Sequence, residues 1–162
     1  MRQKIKERKK LTKIVKVLKG KGKRIVFTNG CFDLLHLGHV RYLEKAKTLG
    51  DILIVGINSD SSVRKLKGPK RPLVPIKERA EILSGLECVD YVTIFKESNP
   101  LNLITSLKPN VLVKGGDWTK EQVIGGDVVE RLGGKVVILP FVKGASTSNL
   151  IQTILRRYEK RN

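Results

Sequence analysis

The sequence predicts an α/β domain: a sheet of about five parallel strands with helices on both faces. Three observations carry this. Short runs rich in Val and Ile alternate with longer amphipathic segments, the order produced when parallel strands are joined by helical crossovers. The runs are apolar almost throughout rather than at every second position, as strands covered on both faces must be. Finally, 162 residues, 40% of them hydrophobic, suit one domain whose core needs no disulfide or structural metal.

The elements follow in order. Residues 1–24 hold twelve of the 33 Lys and Arg and one of the 15 acidic residues, so +11 of the formal +18 charge sits there. Leu11, Ile14, Val15 and Leu18 recur at i, i+3, i+4 and i+7, the stripe of a helix docked on a core with its lysines outward. Residues 1–23 are therefore expected to be a basic helical arm and residues 24–162 the domain proper. Such an arm attracts phosphate polymers without specificity. It has no aromatic residue to stack on bases, so no specific nucleic acid is expected as a partner.

Strands are expected at 24–28, 51–57, 91–95, 110–113 and 135–140, and helices at 38–49, 75–86, 100–107, 127–132 and 146–158. Gly50, Gly85 and Gly133 fall at helix ends, where a left-handed residue is favoured. Residues 61–74 carry Gly68, Pro69 and Pro72 among five basic residues. They predict a loop, or a short helix and then a loop, too polar for the core. No apolar stretch nears the ~20 residues of a membrane-spanning helix, and lysines interrupt every candidate secretory signal. The expected location is the cytoplasm, with no membrane partner. Cys31 and Cys88 have neither disulfide-framework nor metal-site spacing and read as reduced thiols.

The chain has two histidines, and they fall three apart, in His36-Leu37-Gly38-His39. The first strand hands over to the first long helix there. A helix N-terminus offers unpaired N–H groups and the positive end of its dipole to a phosphate. Gly38 leaves room for a ligand oxygen, and two imidazoles one turn apart can donate to it from one side. The competing reading is a structural or metal-binding pair with Cys31 as third ligand, but a fourth ligand is missing and no metal is expected.

Thr28-Asn29-Gly30-Cys31-Phe32-Asp33-Leu34-Leu35-His36-Leu37-Gly38-His39 resembles the hallmark of the cytidylyltransferase-like nucleotidyltransferases, which carry HxGH on a Rossmann-like fold. The resemblance continues through Asn58-Ser59-Asp60, Arg64 to Gly68 with Arg71-Pro72, Glu78-Arg79, Val113 to Trp118 and Gly144 to Ser148. Over residues 10–158 the set is most similar to the adenylyltransferases of ADP-heptose synthesis. The resemblance implies transfer of AMP from ATP, with Mg²⁺, to D-glycero-β-D-manno-heptose 1-phosphate, by direct in-line attack on the α-phosphorus. A separate heptose kinase would supply the sugar 1-phosphate, and a homo-oligomer is compatible with the resemblance.

The site residues it implies are these. His36 and His39 stabilise charge on the transferring phosphate, with Asn29, Gly30, Phe32 and Gly38 around them. Lys65 and Lys67 neutralise phosphates, or form a solvated face. Arg79 grips phosphate, or is a surface or ion-pairing residue. Asp60 orients a ribose hydroxyl, or caps a helix beside Asn58. Gly115, Gly116 and Asp117 bring backbone close to the nucleotide, and Trp118 packs over the base or anchors the core. Ser146, Thr147 and Ser148 bind phosphate, cap the last helix, or both. Asp33 is expected to fix its loop rather than meet the ligand. The closest rival is the glycerol-3-phosphate cytidylyltransferase type, which usually has Arg where Phe141 stands here. A rival of another class is a nucleic-acid-binding module without turnover, which leaves the ordered motifs unexplained.

Overall fold

The computed structural model describes residues 2–116, 118–140, 142 and 144–158. After a short 3-10 turn the order is α1 (Arg8–Gly20), β1 (Ile25–Gly30), α2 (Leu37–Lys47), β2 (Ile52–Asn58), α3 (Asp60–Lys67), α4 (Ile76–Gly85), β3 (Tyr91–Phe95), α5 (Leu101–Leu107), β4 (Val111–Gly115), α6 (Gly126–Arg131), β5 (Lys135–Leu139) and α7 (Thr147–Tyr158). The five strands form one parallel sheet in the order β3-β2-β1-β4-β5. The α/β class, the strand number and the parallel sense match what the apolar runs predict.

Alternation along the strands builds two cores. Val26, Val55 and Val113 face Leu43 and Ala46 of α2 and Ala80 and Leu83 of α4. Phe27, Ile54 and Leu112 face the other way, against Leu11 and Val15 of α1, Leu103 and Ile104 of α5, and Val129 of α6. The N-terminal stripe thus completes the second layer. Leu11 is wholly buried there, while Val17, off the stripe, is 58% exposed. Among the described residues no helix is long and apolar enough to cross a membrane.

Several boundaries differ from expectation for identifiable reasons. Strands β1 and β4 run on to Gly30 and Gly115 because backbone pairing continues, Gly30 with Ile57 and Gly115 with Leu139, after the apolar side chains have stopped. Asn110 precedes β4, and its side-chain Oδ1 accepts from the Ile25 N–H at the start of β1. Gly133 does adopt the left-handed conformation, but Gly50 does not: a Cβ there would meet Val26 Cγ2 at 2.7 Å and the Arg24 carbonyl at 2.8 Å. Close backbone approach, not a helix cap, requires that glycine; Gly85 is the last residue of α4 with no positive φ. Residues 61–67 are helical, and Ser62 and Val63 are buried. Polarity did not keep that stretch out of the core, because Ser62 Oγ donates to the Glu97 carbonyl and accepts from Asn58 Nδ2.

The packing of α1 predicts unequal costs along one helix. Leu11→Ala should destabilise by about 2–5 kcal/mol, the usual cost of a leucine-sized cavity, and Val17→Ala by no more than about 0.5 kcal/mol. Urea unfolding measures both; equal, small effects would mean that α1 is not held by apolar contact.

Candidate active site

From β1 the chain adds β2 and β3 on one side, then returns to place β4 and β5 on the other. Ligands of open α/β sheets bind outside the carboxyl ends of the strands at such a reversal. A cavity of about 570 Å³ opens there, walled by the ends of β1 and β4, by the start of α2, by Lys67 of α3, and by Ser146, Thr147 and Ser148 at the start of α7.

His36 is the residue before the first turn of α2, in extended conformation, and its carbonyl accepts from the His39 N–H at 2.9 Å. The two rings stack at 3.9 Å between centroids, and the Phe32 ring lies 5.2 Å from that of His39. Burial holds both imidazoles below their ordinary pKa; for His39 burial and then the neighbouring His36 bring it down to about 4. Both rings are therefore neutral at pH 7, which is what lets them stack. Their Nδ1 atoms are enclosed without a partner among the described residues. Each ring has one N–H to give.

Glycines at this turn serve the protein's own packing. A Cβ on Gly38 would come within 2.9 Å of Ala145 Cβ and 3.0 Å of His36 Nδ1. Gly38 lines the cavity, and its missing Cβ also admits the segment leading to α7 and the His36 ring. A Cβ on Gly30 would press on the Phe32 ring at 3.1 Å. Phe32 itself is left-handed, at φ 45°, an uncommon conformation for a bulky residue, and it turns the chain sharply beneath the histidines.

The loop after β1 is fixed as expected of Asp33. Its carboxylate accepts from the Leu73 and Val74 N–H groups and pairs with the Arg71 guanidinium. Burial alone would raise its pKa; the backbone donors of Val74 and Leu73, with Arg71, outweigh that and hold it below the ordinary value.

Three expected phosphate or ribose contacts lie elsewhere. Arg79 has a fully buried side chain: Nε donates to the Val74 carbonyl at 2.8 Å, Nη1 to the Cys31 carbonyl, and Nη2 to Asp60 Oδ1 at 2.6 Å. With its donors turned inward it braces the cavity from behind and presents nothing to a ligand. Asp60 is held by that pair, and the helix cap is Ser59, whose Oγ accepts from the Ser62 N–H. Lys65 is exposed on α3 and is absent from the cavity wall, whereas Lys67, two residues on, is part of it. Trp118 is 51% exposed on the wall, too open for a core anchor. Ser146 caps α7 by accepting from the Asn149 N–H at 3.0 Å, and Thr147 Oγ1 donates to the Leu34 carbonyl at 3.4 Å. Gly115 also reaches the wall. Asp117 and Phe141 lie outside the described residues.

Sequence reasoning missed Lys114. It lies one residue beyond the Thr28–Val113 pairing, opposite Asn29, and its Nζ donates to Asn29 Oδ1 at 2.7 Å. Burial pulls its pKa down to about 8, with Cys31 acting the other way. The available signal is its place at a strand end inside Val113 to Trp118. Tyr42 was missed too; it lines the cavity and its hydroxyl shares a 2.6 Å hydrogen bond with Thr28.

Comparison with known proteins identifies the family. The chain is 57% identical over 155 residues to the bifunctional protein HldE of Trichlorobacter lovleyi and 61% identical over 155 residues to that of Geobacter metallireducens; each alignment covers 96% of this chain and 32% of the relative. The chain thus spans about a third of the length of these curated relatives. Among solved structures, a lipopolysaccharide core biosynthesis protein from Thermoplasma volcanium superimposes with a TM-score of 0.63 at 29% identity, covering 76% of this chain and all of that one. Pantoate-β-alanine ligase from Francisella tularensis shares the fold, with a TM-score of 0.60 at 19% identity over 98% of this chain and 81% of its own. The model of one family matches residues 27–152, from β1 into α7 and across the whole cavity wall, and the chain belongs to that family, the cytidylyltransferase-like proteins.

Proposed function

We propose that the chain transfers AMP from ATP to D-glycero-β-D-manno-heptose 1-phosphate, releasing pyrophosphate and ADP-heptose. The observation that carries this reading is the convergence of the stacked histidines at the start of α2 and the hydroxyl residues at the start of α7 on one cavity. Both helix starts favour anions. The choice of ATP and heptose phosphate draws support from the motif resemblance and from the extensive identity to HldE proteins. It is also in keeping with the lipopolysaccharide core biosynthesis protein among the structural neighbours.

In the proposed step an oxygen of the sugar phosphate attacks the α-phosphorus, the bond from that phosphorus to the β-phosphate bridging oxygen breaks, and pyrophosphate leaves in line. The chain positions the reactants and stabilises charge. Neutral His36 and His39 donate N–H groups toward the non-bridging α-oxygens as charge builds there. Lys67 faces the departing or attacking phosphate, and Ser146, Thr147 and Ser148 hold the nucleotide side. The described residues do not form a divalent-ion site of their own. Asp33 is the one described carboxylate on the wall, and both its oxygens are engaged. Mg²⁺ would arrive on the triphosphate, as it commonly does. The sugar 1-phosphate has to be supplied by a kinase-class reaction.

Pyrophosphate release from purified protein, measured with each nucleoside triphosphate against a panel of sugar and polyol phosphates, should be fastest with ATP and the heptose 1-phosphate. Faster turnover with CTP and glycerol 3-phosphate would replace this assignment by the cytidylyltransferase one. His39→Ala should lower kcat by about a hundredfold or more, with a much smaller change in ATP affinity, because the lost donor acts on transition-state charge. Near-normal turnover would remove the histidines from catalysis. Lys67→Met should raise KM or lower kcat for a phosphate substrate, while Lys65→Met leaves both nearly unchanged. Steady-state kinetics decides between them, and equal losses would show that exposed α3 lysines act together.

A further inference from the structure

The reversal point of the sheet brings together two side chains whose roles the histidine-centred site does not explain. By strand alternation Asn29 follows Phe27, and Lys114 follows Leu112, onto the face covered by α1, α5 and α6. The histidines approach from α2, on the opposite face. Both groups nevertheless line the same cavity, because it straddles the carboxyl edge of the sheet. Lys114 therefore meets any ligand from the side across from His36 and His39.

Its one side-chain hydrogen bond among the described residues, to Asn29 Oδ1, fixes more than the lysine. An amide carries both an acceptor and donors. Here one lone pair of the acceptor is taken internally, and the Asn29 NH₂ and the remaining ammonium N–H groups stay free to donate. Donors therefore outnumber acceptors in the pair, and one of its members is a cation, a balance that suits phosphoryl oxygens better than a base edge.

Charge points the same way. Sharing the cavity wall with Lys114 are Cys31 and Asp33 from the loop after β1, His36 just before α2, His39 and Tyr42 on α2, and Lys67 and Arg71 from α3 and the loop beyond it. Asp33 is committed to Arg71 and backbone, the histidines are neutral at pH 7, and burial raises the Cys31 and Tyr42 pKa values. No described carboxylate on the wall balances Lys114.

We propose that Lys114 and Asn29 form the phosphate receptor at the reversal point, gripping a phosphoryl group from the face opposite the histidines. The group is either the α-phosphate of ATP or the phosphate of the acceptor sugar; this choice rests on the AMP-transfer reading, but the receptor chemistry does not. The lysine is charged below about pH 8 and loses its grip as pH rises through that value.

Calorimetric titration with ATP alone, the sugar 1-phosphate alone and inorganic phosphate tests this on the wild type, Lys114→Met and Lys114→Arg, with folding checked by circular dichroism. Lys114→Met should weaken binding of the held phosphate by roughly tenfold to a hundredfold, the range of a charge-assisted hydrogen bond. Lys114→Arg should keep most of the affinity and hold it to higher pH. A loss confined to ATP assigns the nucleotide phosphate; one confined to the sugar phosphate assigns the acceptor. Unchanged affinity of Lys114→Met for all three ligands overturns the proposal. If that variant does not fold, wild-type phosphate affinity decides: a fall above about pH 8 that Lys114→Arg shifts upward supports the receptor, and a flat profile overturns it. Pyrophosphate release is read separately. Lysine-dependent phosphate binding without it would keep the receptor and sink AMP transfer.

Discussion

One buried guanidinium holds the walls of the cavity in place. Arg79 projects from α4 and is bonded to the Cys31 carbonyl after β1, the Val74 carbonyl before α4, and Asp60 at the start of α3. Apolar packing of Phe32, Val63 and Ala80 also anchors these segments, but the directional bonds to a planar five-donor group fix their relative orientation. A buried cation is tolerable because each face of the fork has an acceptor, and removing a partner from such a pair typically costs about 3–5 kcal/mol. Asp33 does the converse from the other side, a buried anion collecting the Leu73 and Val74 N–H groups and Arg71. The two braces share Val74, which ties the loop below the histidines to the loop after α3.

With that frame rigid, the electrostatics of the cavity divide into two kinds of donor. On one face stand neutral imidazoles, stacked and kept uncharged by burial. In the proposed reaction they would add direction without adding a cation, favouring charge that grows on the transferring phosphate over a ground-state anion. Lysines, one on α3 and one at the end of β4, supply net positive charge. Such a division suits a reaction that requires several phosphates to be held close while only one is attacked.

The basic N-terminus bears on folding before it bears on partners. Its charge is conspicuous, yet Leu11 and Val15 complete the apolar layer that also contains α5 and α6. Lys4 Nζ donates to the Leu86 carbonyl, Arg8 pairs with Glu97, Lys19 Nζ donates to the Lys108 carbonyl and Lys23 pairs with Asp51, so several of its cations are tied to the body of the protein. Lys13 and Lys16, by contrast, face solvent.

Much of the fold was legible in the residues because it depends on local patterns. Apolar runs mark buried strands, the i, i+3, i+4 stripe marks α1, and His-Leu-Gly-His after the first run locates the strand-to-helix turn that begins the site. Those features need no partner to be identified. What the residues could not reveal was which polar groups are already satisfied. Arg79, Lys65, Lys67 and Lys114 are all cations near expected phosphate sites; only the packing shows Arg79 buried with each of its nitrogens bonded, Lys65 exposed away from the wall, and Lys67 and Lys114 on it. The same holds for Gly38, whose missing Cβ makes room for Ala145, a residue more than a hundred positions away in the chain. The sequence by itself determined the strands, helices and the turn that carries the histidines, since these follow from short-range periodicity and backbone preference. Tertiary structure alone decided which side chains are free to meet a ligand, because hydrogen-bond saturation and burial depend on neighbours that the chain brings in from a distance.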